Sequence, residues 1–184
     1  WEEEFRRKGL NVGRERYVVF HPGTNRMMRF RGTGRGSAAR RVPRHWPHER
    51  FRELAVMLRG RWPEVRLACV GTEAERQWVE SGICRPLPEA ERPVNLCGAT
   101  SVSSMLRLLE GAAALVCGDS GVMHLATTVR APIVALFGPS RADATGPFGI
   151  PSDRFVVVRS MPEDEALLDR ECMRKIPAER VFQR

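Results

Sequence analysis

The chain reads as an α/β protein built on a Rossmann-like, doubly wound parallel sheet. Three observations predict this. Short apolar runs alternate along the chain with segments of helical period, the pattern of βαβ units. The runs at 114–117 and 132–137 show no polar alternation, as expected of strands covered by helices on both faces. The residues richest in chemistry follow directly after such runs, where open parallel sheets bind ligands.

The elements follow in order. Residues 1–9 predict a short helix stopped at Gly9. Tyr17-Val18-Val19-Phe20 predicts a buried strand that breaks at His21-Pro22-Gly23. Residues 24–43 carry neither period and predict a loop. Trp46-Pro47 opens a helix whose apolar stripe is Phe51, Leu54, Ala55 and Leu58. Val65 to Val70 is the next strand, followed by a polar helix over 73–81. Val94 to Cys97 predicts a short third strand. Thr100 or Ser101 then caps a helix with a stripe of Val102, Met105, Leu106 and Leu109. Ala114 to Cys117 is the fourth strand, 120–129 a helix, 132–137 the fifth strand and 155–158 the sixth. A last helix starts at Pro177, a good first-turn residue.

Composition bounds the class. The chain has 184 residues, 42% of them hydrophobic and 28% charged, which suits one globular domain. No apolar stretch is long enough to span a bilayer, and the charged start, which has no Met, lacks a signal peptide's apolar core. Five cysteines with no CxxC pair predict reduced structural thiols in a cytoplasmic protein. The net charge of +8 is concentrated. Seven arginines and no acid fall between Arg26 and Arg44, so one basic loop decorates an otherwise nearly neutral chain. That loop has Phe30 as its sole aromatic and no RNA motif, so nucleic acid is not the expected partner. His45 and His48 are three apart without a third ligand, which predicts a surface pair and no metal.

Gly118-Asp119-Ser120-Gly121-Val122-Met123-His124 is the strongest local signal. Asp119 or Ser120 can cap the following helix. Gly121 lets a ligand approach the first-turn N–H groups, which with the helix dipole suit a phosphate. His124 shares a helix face with Ser120. Asp119 is placed to accept from sugar hydroxyls. The alternative is that Asp119 is only a cap and His124 only a core residue. Gly118-Asp119-Ser120-Gly121 also spells the tetrad around a chymotrypsin-like nucleophile, but those enzymes are all-β and need other partners, and no G-x-S-x-G elbow is present.

These residues, with Ala131 to Ser140 and Thr145-Gly146-Pro147, resemble the C-terminal signature of family-nine glycosyltransferases, the ADP-heptose:lipopolysaccharide heptosyltransferases and their relatives. His21-Pro22-Gly23-Thr24, Arg44-His45-Trp46-Pro47, the Gly71 to Glu75 segment and Asn95 to Ser101 resemble further family segments in the same order. The resemblance implies a GT-B fold, of which this chain is the C-terminal, nucleotide-sugar-binding half. It implies an interdomain linker over 1–14 and a donor domain over 15–184, with 24–43 as a basic insertion. Thr24 and the N–H groups of helix 120–129 would hold the diphosphate, and Arg44, standing where the family has Lys, would add a cation. Glu75 would accept from the ribose, with Glu73 its close competitor. Thr100 would line the adenine pocket. Asp119 would bind the heptose, and Ser120, Gly121 and His124 would complete the site.

The reaction implied is inverting transfer of heptose or a related sugar from an ADP-sugar substrate, without metal or cofactor, to a lipid-linked or lipopolysaccharide acceptor. The acceptor site and the catalytic base are expected in a preceding domain. The chain alone is then expected to bind nucleotide sugar without turnover. The basic loop suggests an anionic membrane surface as a further partner and a peripheral location at the inner membrane. A nucleotide-binding regulatory module is the rival reading.

Overall fold

The computed structural model describes residues 1–23, 45–162, 169 and 171–184. The expected basic loop, with Thr24 and Arg44, lies outside the described residues.

Helix α1 (Glu2–Arg7) carries three acidic residues in its first turn and two arginines in its last, both complementary to the helix dipole. It stops as expected at Gly9, whose φ is +96°. Leu10 N–H donates to Phe5 C=O and Gly9 N–H to Arg6 C=O, a Schellman ending that only a left-handed residue completes. Phe5 and Leu10 are fully buried, so this segment packs into the domain.

The strands are β1 (Tyr17–His21), β2 (Arg66–Cys69), β3 (Val94–Asn95), β4 (Ala114–Gly118), β5 (Ile133–Phe137) and β6 (Phe155–Arg159). They form one sheet in the order β3-β2-β1-β4-β5-β6, and every pairing is parallel. This is the doubly wound arrangement, with its switch point between β1 and β4. Each strand sends alternate residues to opposite layers. Val18, Phe20, Leu67 and Val116 join a core with α2 (His48–Arg61) and the C-terminal segment. Tyr17, Val19, Ala68 and Leu115 join a second core with α1, α4 (Val102–Glu110) and α5 (Gly121–Thr128). Two side-chain bonds lock the layers to distant segments. Tyr17 Oη donates to Leu108 C=O at 2.8 Å, and burial pushes this phenol up to about 12. Trp46 Nε1 donates to Ile176 C=O at 2.9 Å.

The remaining elements are α3 (Arg76–Val79), α6 (Ala142–Thr145) and α7 (Ala178–Phe182), with Pro177 at the N-cap of the last. Three details differ from the expectation. The polar helix expected over 73–81 is a composite, with a 3₁₀ turn (Glu73–Glu75) before α3 and a π turn (Glu80–Cys84) after it. It continues past 81 because Ile83 and Cys84 bury themselves against α2's core. Helix α6 lacks an apolar stripe and was not anticipated. In α4 the buried side chains are Ser104, Met105, Leu108 and Leu109, not the stripe drawn through Val102 and Leu106. Val102 is 65% exposed because the first turn of α4 borders a cavity instead of the sheet.

The two faces of α4 should therefore respond differently to truncation. Leu108→Ala should lower the unfolding free energy by about 2–5 kcal/mol, whereas Val102→Ala should change it by less than about 0.5 kcal/mol. Urea denaturation of both variants checks this, and equal losses would contradict the observed burial.

Candidate nucleotide-binding site

The carboxyl ends of β1, β2 and β4 meet around a cavity of about 570 Å³. His21 closes one side at the end of β1. Gly71 to Glu75 follow β2, Gly98 to Val102 with Met105 lead into α4, and Gly121, Val122 and Leu125 come from α5. The cavity thus has apolar walls on the α4 and α5 side and carboxylates on the β2 side. A second, apolar cavity of about 200 Å³ lies at the opposite strand edge among Val18, Leu58, Val65 and Ala114. It offers little polar recognition.

The junction between β4 and α5 is open. Ser120 is the N-cap residue in extended conformation (φ −149°, ψ 162°), but its side chain caps nothing. Its Oγ is buried without a hydrogen-bond partner, and the residue is 3% exposed. Ser120 therefore does not supply the side-chain cap, and the first-turn N–H groups of α5 lack that partner. A Cβ at Gly121 would meet nothing within 4 Å, so the backbone there is approachable. Asp119 is half-buried just before this turn. His124 is exposed one turn further along, which rules out the core-residue alternative for it. Asp119, Ser120 and His124 stand outside the lining of the cavity, whereas Gly121, Thr100 and Glu75 are part of it.

The two candidate carboxylates differ in burial and in partners. Glu75 is 6% exposed, and its Oε2 accepts from Thr72 N–H at 2.7 Å and Thr72 Oγ1 at 2.9 Å. This is a capping box around the turn after β2. A Cβ at Gly23 would sit 1.9 Å from Glu75 Oε1, and one at Gly71 2.9 Å from Oε2, so two glycines make room for this carboxylate. Glu73 is exposed at the rim and pairs with Arg76 at 2.5 Å. It lies over Gly98, whose φ of +72° and close approach to the Glu73 backbone both require glycine. Ser101 caps α4, exchanging bonds with Ser104, which leaves Thr100 at the cavity. Asn95 serves structure: its Nδ2 donates to Arg76 C=O and Glu80 Oε2.

Sequence reading marked the loop after β1 but did not single out His21. The signal was its place at a strand's carboxyl end. It is 8% exposed, and burial pushes its imidazole down to about 4, against the opposing pull of the Glu75 carboxylate. The expected surface pair His45 and His48 is instead half-buried against Trp78, with ring centroids 6.1 Å and 3.9 Å away. The His48 ring lies over Gly82, and burial also holds it down at about 4.

These histidines impose a pH dependence on folding. The unfolded chain takes up protons near pH 6.5, whereas folded His21 and His48 resist protonation until about 4. The unfolded state binds more protons between those values, so stability should fall as pH drops from 7 toward 4.5. Urea midpoints across that range should decline, with a shallower decline in His48→Gln. A wild-type midpoint independent of pH would refute the burial of both rings.

Comparison with known proteins agrees with this geometry. The model of glycosyltransferase family 9 (heptosyltransferase) matches residues 36–175. Lipooligosaccharide heptosyltransferase 2 of Haemophilus influenzae is 35% identical over 118 residues, covering 63% of this chain and 32% of the relative. Lipopolysaccharide heptosyltransferase 1 of Pseudomonas aeruginosa is 36% identical over 108 residues, covering 59% and 29%. The chain spans about a third of the length of these curated relatives. Among solved structures, Escherichia coli ADP-heptose lps heptosyltransferase II superposes with a TM-score of 0.75 at 22% identity, over 99% of this chain and 49% of that one. Escherichia coli heptosyltransferase WaaC with ADP superposes with a TM-score of 0.68 at 22% identity, over 95% and 45%. The sheet order, the open β4–α5 turn and the family match lead to one conclusion: the chain belongs to glycosyltransferase family 9, the heptosyltransferase family.

Proposed function

We propose that this chain is the donor-binding half of an inverting glycosyltransferase that moves heptose, or a related sugar, from an ADP-sugar to a lipopolysaccharide core or other glycan acceptor. The observation that carries the reading is the cavity at the β1/β4 switch point, continuous with the open first turn of α5. Solved structures of the same fold include Escherichia coli heptosyltransferase WaaC with ADP and with ADP-2-deoxy-2-fluoro heptose.

In this reading the adenine lies against Thr100, Val102, Met105 and Leu125. Glu73 takes the ribose hydroxyls, because Glu75 already spends Oε2 on Thr72. The diphosphate sits at the first turn of α5 near Ser120 and Gly121, joined by Thr24 and Arg44. Asp119 and His124 reach the sugar. As the glycosidic bond to the donor breaks, negative charge collects on the departing diphosphate. Backbone N–H groups fixed at a helix N-terminus stabilise that charge without reorganising. The carboxylate that deprotonates the acceptor comes from a preceding domain, so this chain alone binds without turnover. The basic loop steers the intact enzyme to anionic lipid at the cytoplasmic face of the inner membrane.

Calorimetric titration with ADP, ADP-heptose and single-stranded RNA at two salt concentrations tests the reading. ADP and ADP-heptose should bind and RNA should not; RNA binding without nucleotide binding would overturn it. Glu73→Ala should weaken ADP by about tenfold or more, as expected for hydrogen bonds to a charged group, with an unchanged melting temperature. Glu75→Ala should instead lower the melting temperature through loss of the capping box. Neutralising Arg29, Arg31 and Arg35 should reduce binding to vesicles containing anionic lipid, and unchanged binding would remove the membrane partner.

A further inference from the structure

His21 ends β1 at the floor of the cavity, and its Nδ1 is buried with no hydrogen-bond partner. Taking a polar group out of water without a partner costs free energy, so such a ring calls for an explanation. Its surroundings select a tautomer. A proton on Nδ1 would bury an N–H donor with no acceptor. A proton on Nε2 leaves Nδ1 with only an unused lone pair and puts the donor on the other ring nitrogen. The charged form is suppressed by burial. The imidazole is thus a neutral single donor at the edge of the cavity.

What it faces can be read from the sheet. His21 is in register with Cys117 of β4, the strand that leads into Ser120 and α5. Ser120 Oγ is a second buried polar atom without a partner. Gly121, at the start of the eight-residue helix, borders the same cavity as His21. The imidazole of His21 and the start of α5 therefore meet at the switch point. Both can donate, the ring through Nε2–H and the helix through its first-turn N–H groups, and an anionic oxygen accepts from either.

We propose that His21 is a ligand-binding residue whose neutral Nε2–H donates to an oxygen of the phosphate chain seated at the start of α5, so that it helps select nucleoside diphosphate over nucleoside. The inference rests on the nucleotide reading above and adds a residue to it. Because the donor is uncharged, its contribution does not depend on ionic strength as that of a surface cation does.

The test compares ADP with adenosine by calorimetry on the full chain. His21→Phe, which keeps a ring and removes the donor, should weaken ADP by about three- to tenfold and leave adenosine unchanged. The loss should be the same at low and high salt. His21→Gln, whose amide nitrogen reaches the place of Nε2, should restore ADP to within about twofold of wild type. Undiminished ADP binding by His21→Phe, or parallel losses of ADP and adenosine, would overturn the proposal. Long-range ¹H–¹⁵N spectra of the wild-type imidazoles give a check that needs no variant. The His21 ring should be protonated at Nε2 and should shift with ADP but not with adenosine; an Nδ1-protonated or unmoved ring would also overturn it. A wild-type chain that fails to bind ADP sinks the nucleotide reading itself, and this inference with it, whereas ADP binding with an indifferent His21→Phe sinks this inference alone.

Discussion

Strand β1 pairs with β2 on one side and β4 on the other, both parallel. The chain must therefore leave β1 toward one edge of the sheet and later return to add β4 on the other. The two departures diverge above the carboxyl ends of β1 and β4, and a crevice remains between them. Everything proposed for the site depends on that divergence. His21, the turn after β2, the start of α4 and the start of α5 are far apart in sequence. They share one cavity because their strands are neighbours.

The turn after β2 shows how the crevice keeps its shape. Glu75 is a buried carboxylate with two donors from one threonine, held where Gly23 and Gly71 leave it room. A carboxylate satisfied in this way is part of the wall. The neighbouring Glu73 is left at the rim. Two residues of identical chemistry, two positions apart, thus differ in surroundings: one is buried and bonded to Thr72, the other exposed beside Arg76.

Two buried polar groups near the crevice are left unsatisfied. Ser120 holds the N-cap position without capping, and His21 is buried without bonding. Unpaired buried polar groups lower the stability of the domain. The acid sensitivity expected of folding comes from the same economy: burial keeps the His21 ring neutral, which is also the state in which it donates a single proton.

The sequence by itself determined the succession of strands and helices along the chain, because short apolar runs without polar alternation fit strands covered on both faces. It also determined the Gly118-to-His124 turn, because a strand, a glycine pair and a helix start are local features. The resemblance to one family was legible for the same reason, as ordered short motifs. Helix faces at their ends were not legible: Val102 fits the period of α4, but the sheet does not extend beneath it. Nor were the different surroundings of Glu73 and Glu75, the packing of His45 and His48 against Trp78, or the burial of His21. Each depends on which distant backbone lies within a few ångströms, and only the tertiary structure decides that.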